Sequence, residues 1–446
     1  MKKLIIFLIT FFLYGDIYNN KNISVLNALD IEDAFIRNAK LQSFYKSYLL
    51  KRREYFLNVL ENGYKYLPLI KEEILKSDVP HELLSVAIAE SYLNSFVRSH
   101  KKAMGLWQFM PATAKRFGLK IDEYVDERKD PIKSTKAAIR YLEYLHKFFG
   151  KWYLAIVAYN AGEARVVEAV VRVKVDKLCE KLGEKCKENI KIKRYRQIIK
   201  NYQRKGKYAF NDLYILYKNL NNLNYLEIKL NDLLKFQKGL KRQYLPRETR
   251  DYILKVIAMS FLFNSDDFIN YANTYLLNSG VLSELQRVYV PRGTSLYYVS
   301  DILGVSYKKL RRDNMHLNYA FTPPYRYYIY IPYNKLALFK SKFKPKSFFI
   351  VYTVKKGDTL IKIARKFGTK VNIIKDYNKI GKYLQISQKL TIPLHYKYIE
   401  YKVKQGDTLS KIAKKFGAKL EKIKKINNLN SNLLRAGQTL KIPKRY

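Results

Sequence analysis

"AIAESYLNS", residues 87–95, closes an apolar stretch that begins near "PHELLSVA" at Pro80 and sets one carboxylate, Glu90, at its end. Steps of seven, four and three back from Glu90 reach Leu83, Val86 and Ala87, the spacing of one helix face. The stretch therefore reads as a helix with a half-buried acid near its C-terminus. Burial disfavours the ionised form, and the negative end of the helix dipole acts in the same direction, so both raise the pKa. A carboxylic acid held protonated near neutrality can donate a proton. A buried Glu paired with a nearby Lys or Arg gives the same pattern, so two readings stand here: a structural ion pair and a general acid.

Around this helix the sequence keeps helical periodicity, over residues 32–75, 80–93, 131–173 and 246–280, without a series of strands. The acid is thus expected in an all-α domain. Lysines and arginines number 85 against 38 acidic residues, a formal charge of +47 spread along 446 residues. That field suits a polyanion; nucleic acid, anionic lipid and a carboxylate-bearing cell wall all fit it, and charge does not choose among them. With 48% apolar residues the chain is not wholly disordered, and its length allows two to four domains.

The N-terminus selects a compartment. "MKKLIIFLITFFLYGD" sets two lysines before an apolar run from Leu4 to Tyr14, the length of a signal-peptide core and too short for a comfortable membrane span. Residues 1–28 are read as a signal peptide or N-terminal anchor, with Gly15 and Ala28 as alternative ends, and the periplasm or cell envelope is the expected location. No Cys follows the run, so a lipoprotein anchor is not supported; an uncleaved anchor would leave the chain associated with a membrane. The two cysteines, Cys179 and Cys186, would lie roughly 10 Å apart on a continuous helix, so a bridge between them requires a break, with Gly183 the candidate. "HELLS" at residue 81 begins like a zinc-protease helix, but Ser85 stands where the second histidine is needed, and no metal or other cofactor is expected.

The C-terminal third repeats itself. "YTVKKGDTLIKIARKFGTKVNIIKDYN" from Tyr352 returns as "YKVKQGDTLSKIAKKFGAKLEKIKKIN" from Tyr401, and the copies close on "LTIP" and "LKIP". Alternation before the glycine gives a strand, "GDT" a turn that caps a helix, Gly368 or Gly417 a helix stop, and the proline ending a second strand. Each copy is a βααβ unit, and the pattern resembles the LysM module. That resemblance implies binding of N-acetylglucosamine-containing glycans such as peptidoglycan and chitin. A divergent copy, "VYVPRGTSLYYVSDILGVSYKKLRRDN" ending at "YIYIP", keeps Gly293, Leu296, Val299, Gly304, Leu310, Asn314 and Pro332 in similar positions, with Thr294 in place of the Asp. It is expected to keep the fold, with or without the binding.

Downstream of Glu90 come "AMGLWQFMPATAKRFG", "AIVAYNAGEARV" and "YLPRETRDYI". Glu90 and Ser91, Gly105 to Gln108, Ala158 to Asn160 with Gly162, and Glu248, Thr249 and Tyr252 resemble, in that order, the soluble-type (SLT) lytic transglycosylases. The family implies a lysozyme-like fold, giving a multidomain chain: an all-α lysozyme-like catalytic domain followed by small α+β modules. The expected boundaries are 29–79 for an N-terminal helical segment, 80–280 for the catalytic domain with a basic insertion at 173–243, 286–334 for the divergent module, and 350–394 and 399–444 for the two LysM copies. The resemblance further implies that Glu90 is the sole catalytic acid, that Tyr252 orients it, that Ser91, Gln108, Tyr159 and Asn160 meet the sugar, and that Gly105 permits a tight turn. Tyr159 and Trp107 also read as core aromatics, Gln108 and Asn160 as helix-end hydrogen bonders, and Glu163 as a solvated helix residue. The expected partner is peptidoglycan, bound by the cleft and the LysM modules; nothing in the sequence reads as a nucleic-acid motif. A lysozyme-like hydrolase and an inactive wall-binding scaffold are the competing functions.

Overall fold

A computed structural model of the chain describes residues 17–223, 225–271, 284–344, 349–367, 369–380, 384–393, 398–416 and 418–443. It divides into two compact units: one formed by the chain up to Leu119 with Pro131–Leu282, the other by Lys120–Asp130 with Ser283–Tyr446.

Every regular element among the first unit's described residues is a helix. Helix Arg247–Asn264 runs through its core, with Ile253, Val256, Ile257 and Phe261 fully buried. Against it pack helices Ala39–Lys51, Leu84–Ser91 and Trp152–Ala161. The last of these is apolar from Tyr153 to Ala158 and buried all along that stretch, which is why it shows no amphipathic stripe.

The insertion is built into this unit. Helix Glu163–Leu182 stops at Gly183, the break expected between the cysteines, and Cys179 and Cys186 are joined in a disulfide with Cα atoms 5.0 Å apart. Helices Ile190–Lys205 and Phe210–Asn221 then fold back on helix Glu163–Leu182. Fully buried Glu168 takes ion pairs from Arg165 and Arg242 and a hydrogen bond from Gln203 at 2.7 Å. A buried carboxylate needs such partners to remain ionised, and its pKa is accordingly lowered; burial opposes this, and the Arg242 and Arg165 contacts outweigh it.

The second unit holds three βααβ modules, each closed by one antiparallel strand pair: Leu285–Val290 with Tyr327–Pro332, Phe349–Thr353 with Lys389–Pro393, and Tyr398–Lys402 with Thr439–Pro443. In both repeat copies the aspartate of "GDT" closes the turn backward. Asp358 accepts from Lys355 N and the Tyr352 hydroxyl at 2.8 and 2.7 Å, as Asp407 does from Lys404 N and Tyr401. Thr408 is the helix cap. One asparagine per module, Asn314, Asn378 or Asn427, ties its second helix to its second strand through both side-chain polar atoms. In the divergent module Thr294 takes over from the aspartate by donating to the Pro291 carbonyl at 2.8 Å. Gly368 and Gly417, the expected helix stops, lie outside the described residues.

The Lys120–Asp130 segment belongs to this second unit as a strap. Asp130 is fully buried and accepts from the Tyr328 hydroxyl at 2.6 Å and the Tyr330 hydroxyl at 3.0 Å. Glu127 accepts from Tyr327, Asp126 N donates to His316 O at 2.8 Å, and Val125 bridges Leu317.

Among the described residues no helix is long and apolar enough to cross a membrane. The Leu4–Tyr14 run and Gly15 lie outside them. Ala28, the other expected signal end, closes helix Asn20–Ala28, whose Val25 and Leu26 are buried. A cut at Ala28 would strip a packed element.

Candidate active site

Helix Leu84–Ser91 ends abruptly: Tyr92 and Leu93 both take left-handed backbone conformations, with φ of 52° and 56°. Glu90 therefore sits in the last turn, on the face that Val86 and Ala87 bury. The residue is half-buried, and its carboxylate accepts a hydrogen bond from the Tyr252 hydroxyl at 2.8 Å. Burial pushes its pKa up to about 7, the Tyr252 hydrogen bond pulls it down, and the charge of Glu248 raises it further. No Lys or Arg pairs with it among the described residues. Of the two readings of a lone inward acid, the ion pair has no partner here.

The second motif lies on a tight hairpin. Gly105, at φ 84°, donates to the Val97 carbonyl at 3.0 Å, in a left-handed conformation that a side chain would strain. Gln108 is itself left-handed, at φ 45°, and its amide donates to the carbonyls of Val97 and Gly105 at 3.0 and 2.8 Å. Trp107 is a core residue, 1% exposed, with Nε1 donating to Thr135 Oγ1 at 2.9 Å. Ser91 is buried, and its hydroxyl donates to the Leu106 carbonyl at 2.7 Å. That bond makes Ser91 a tie between the acid helix and the hairpin.

The third motif supplies Tyr159, whose hydroxyl donates to the Trp107 carbonyl at 2.7 Å. Burial first, then the Glu90 carboxylate beside it, raises its pKa well above the tyrosine range, so it stays protonated. Asn160 accepts from Thr249 Oγ1 at 2.8 Å and so links the third motif to the fourth. Gly162 joins the two flanking helices at φ 85°, ψ 148°, a backbone open essentially to glycine alone.

Glu90, Tyr159 and Tyr252 thus meet at one point, with Gly105, Gln108 and Ser91 fixing the hairpin and Asn160 the opposite helix. Two residues depart from the sequence reading. Glu163 is half-buried and partnered rather than free in solvent: Arg116 pairs with it at 2.9 Å and the Tyr144 hydroxyl donates to it at 3.0 Å. Glu248, counted with the fourth motif but given no electrostatic part, is exposed and close enough for its charge to act on Glu90. Its place one residue before Thr249, a Tyr252 helix turn away, was the available signal. Among the described residues no group of His, Cys, Asp or Glu is arranged to hold a metal ion.

Comparison with known proteins agrees with this arrangement. Residues 68–177 match the transglycosylase SLT domain family, residues 352–393 and 401–443 the LysM domain, and residues 284–346 the LysM-like domain of the lytic transglycosylase MltD. Over 110 residues the chain is 47% identical to a protein of Alteromonas sp. (strain M-1) described as a tributyltin chloride resistance protein; the match covers 24% of this chain and about half, 53%, of that relative. Over 371 residues it is 26% identical to the membrane-bound lytic murein transglycosylase D of Escherichia coli (strain K12), covering 78% of this chain and 67% of that protein.

Proposed function

We propose that this chain, which carries an SLT domain, two LysM domains and an MltD-type LysM-like domain, is a peptidoglycan lytic transglycosylase held on the wall by its C-terminal modules. The observation that carries this reading is the single acid Glu90, unpaired by any Lys or Arg among the described residues, raised to about 7 and oriented by Tyr252. Such a group is protonated in much of the population at neutral pH and can also take a proton back. Glu90 donates its proton to the oxygen linking N-acetylmuramic acid to N-acetylglucosamine as the C1–O bond breaks. The resulting carboxylate removes the proton of the muramic C6 hydroxyl, whose oxygen bonds to C1. The product is a 1,6-anhydromuramic end, no water is consumed, and Glu90 is again protonated. Because the nucleophile belongs to the substrate, no second carboxylate has to hold a water.

One observation favours a second reading. Glu248 acts electrostatically on Glu90 from an exposed position, and a two-carboxylate hydrolase would need such a partner. Mass spectrometry of muropeptides released by the purified protein separates the two. Products lighter by one water per cut support the transglycosylase, reducing ends support the hydrolase, and no release at all leaves a wall-binding scaffold.

Export to the cell envelope fits this substrate, and membrane association would rest on the N-terminal segment. Sequencing the N-terminus of secreted material tests the signal reading: a mature end before Ile17 is expected, because Asn20–Ala28 is part of the fold.

A further inference from the structure

Helix Ile190–Lys205, in the basic insertion, takes no part in the chemistry above. Its inner face is set at helical spacing by Ile192, Tyr195, Ile199 and Tyr202; Ile192 and Ile199 are buried, and Tyr202 packs near Phe210. The outer face then carries Lys193, Arg194, Lys200 and Arg204, all exposed, around Gln197 and Asn201, and no Asp or Glu occurs between Asn189 and Asn211. Among the described residues no carboxylate pairs with any of those four cations, whereas Lys40, Arg116 and Lys136 of the same unit each have one. The helix also works against itself. Arg196, Lys200 and Arg204 recur at steps of four, where like charges repel, and the first turn holds Lys191 and no acid, against the positive end of the helix dipole. Anions lying along the outer face relieve both.

The kind of anion follows from what else the face offers. Gln197 Nε2 donates to Asn201 Oδ1 at 3.2 Å, so the amides between the cations are turned to each other, and both tyrosines of the helix lie on the inner face, away from any base or sugar they might stack. Apolar groups stand in water beyond the cations: Ile190 at the start of the helix is 82% exposed, and Tyr208 just past its end is 84% exposed. We propose that this helix is a docking surface for a bilayer of anionic phospholipid, its outer cations against the headgroup phosphates and Ile190 and Tyr208 at the headgroup level. A charged bilayer attracts clustered Lys and Arg without reading hydrogen bonds, and its interface takes up exposed tyrosine and aliphatic side chains. The inference needs neither the lytic reading nor the N-terminal apolar run.

Sedimentation of the full chain with vesicles of phosphatidylcholine alone, and with about a quarter of the lipid replaced by phosphatidylglycerol, tests the surface. Leu4–Tyr14 meets both vesicles alike, so the readout is the ratio of anionic to neutral binding. That ratio is expected to exceed one, to fall with added salt, and to drop roughly 100-fold or more when Lys193, Arg194, Lys200 and Arg204 are all replaced by Gln. A control replacing Lys356, Lys414, Lys422 and Lys425, exposed lysines of the LysM modules, removes the same charge and should keep most of the ratio. Ile190→Ser with Tyr208→Ser should weaken binding to the anionic vesicles severalfold at unchanged charge, a second test that leaves the cations in place. Equal binding to both vesicles, or the same loss in the control, overturns the proposal. If the four-residue variant loses duplex DNA binding by the larger factor while the Ile190 and Tyr208 variant holds vesicles as before, the face is a nucleic-acid surface and the proposal falls. Because the assay contains no glycan, its failure leaves the lytic reading untouched, and the muropeptide products judge that reading separately.

Discussion

Glu90 is caught between two demands: a carboxylate buried enough to stay protonated near pH 7 and open enough to reach substrate. The same burial makes it a stability liability whose sign follows from its raised pKa. The folded state holds a proton that the unfolded chain gives up near the ordinary value of 4.5, so stability falls as pH rises from there and the full penalty is reached above about 7. Glu90→Gln removes that penalty. It should be near neutral for stability at pH 4 and stabilising by about 1–3 kcal/mol at pH 8, while turnover falls by at least about 10³-fold, since one residue performs both proton transfers. Thermal unfolding at the two pH values and anhydromuropeptide release on one preparation check it; an active Glu90→Gln enzyme would remove Glu90 from the chemistry. Tyr252→Phe acts in the other direction. Its hydroxyl stabilises the ionised form, so its loss should raise the Glu90 pKa further and move the alkaline limb of the kcat/KM profile to higher pH, with lower activity from a less oriented acid. A profile that stays in place would mean that the hydrogen bond is only structural.

At the scale of elements, what was legible in the sequence was whatever repeats or has a period. The acid helix was visible in the spacing of Leu83, Val86 and Ala87, and the three βααβ modules in the double copy of "GDT" and the proline endings. The direction of Ser91 was not legible, because its motif neighbours say nothing about it: its hydroxyl turns inward to the Leu106 carbonyl. Glu163 was misread because Arg116 lies 47 residues away in sequence, beyond any local rule. The recurrent asparagine at the end of each second helix was in view without a mechanism. Asn427 Nδ2 donates to Lys441 O at 2.7 Å, and its Oδ1 accepts from Lys441 N at 2.7 Å, so one side chain completes the edge of the closing strand. Asn427→Ala leaves both backbone groups without that partner and should destabilise the last module by roughly 1–3 kcal/mol. Hydrogen exchange should show faster opening confined to Tyr398–Pro443, with sacculus retention reduced and cleavage of soluble glycan unchanged; equal protection in both proteins would show the asparagine to be dispensable.

For the whole molecule, the sequence sets three repeat modules after about residue 285, and the strap ties the first of them to a segment far upstream in the chain. Lys120–Asp130 is continuous at both ends with the helical unit, through Leu119 and Pro131, yet it packs with the divergent module. Periodicity could not reveal this, because no local spacing points Glu127 and Asp130 to Tyr327, Tyr328 and Tyr330, some 200 residues on. A chain ending at residue 282 would leave Asp130 and Glu127 without those hydroxyls and expose Val125, which is fully buried. Pro131 opens the helix whose Thr135 receives Trp107 Nε1, so slack in the strap would reach the support of the hairpin beside Glu90 along the chain itself. A chain ending at residue 344 keeps the divergent module and loses only the two LysM copies, including the strap's contacts from Asp376 and Lys370. The longer truncate should therefore fold, cleave soluble glycan at a rate within a few-fold of the full chain and lose retention on sacculi, as expected when tethered weak sites are removed. The shorter one should unfold at lower temperature or aggregate, and lose cleavage as well. Melting curves and product release for both truncates decide the matter: if the chain ending at 282 matched the one ending at 344 in both, the divergent module would be an anchor after all and the strap a surface loop.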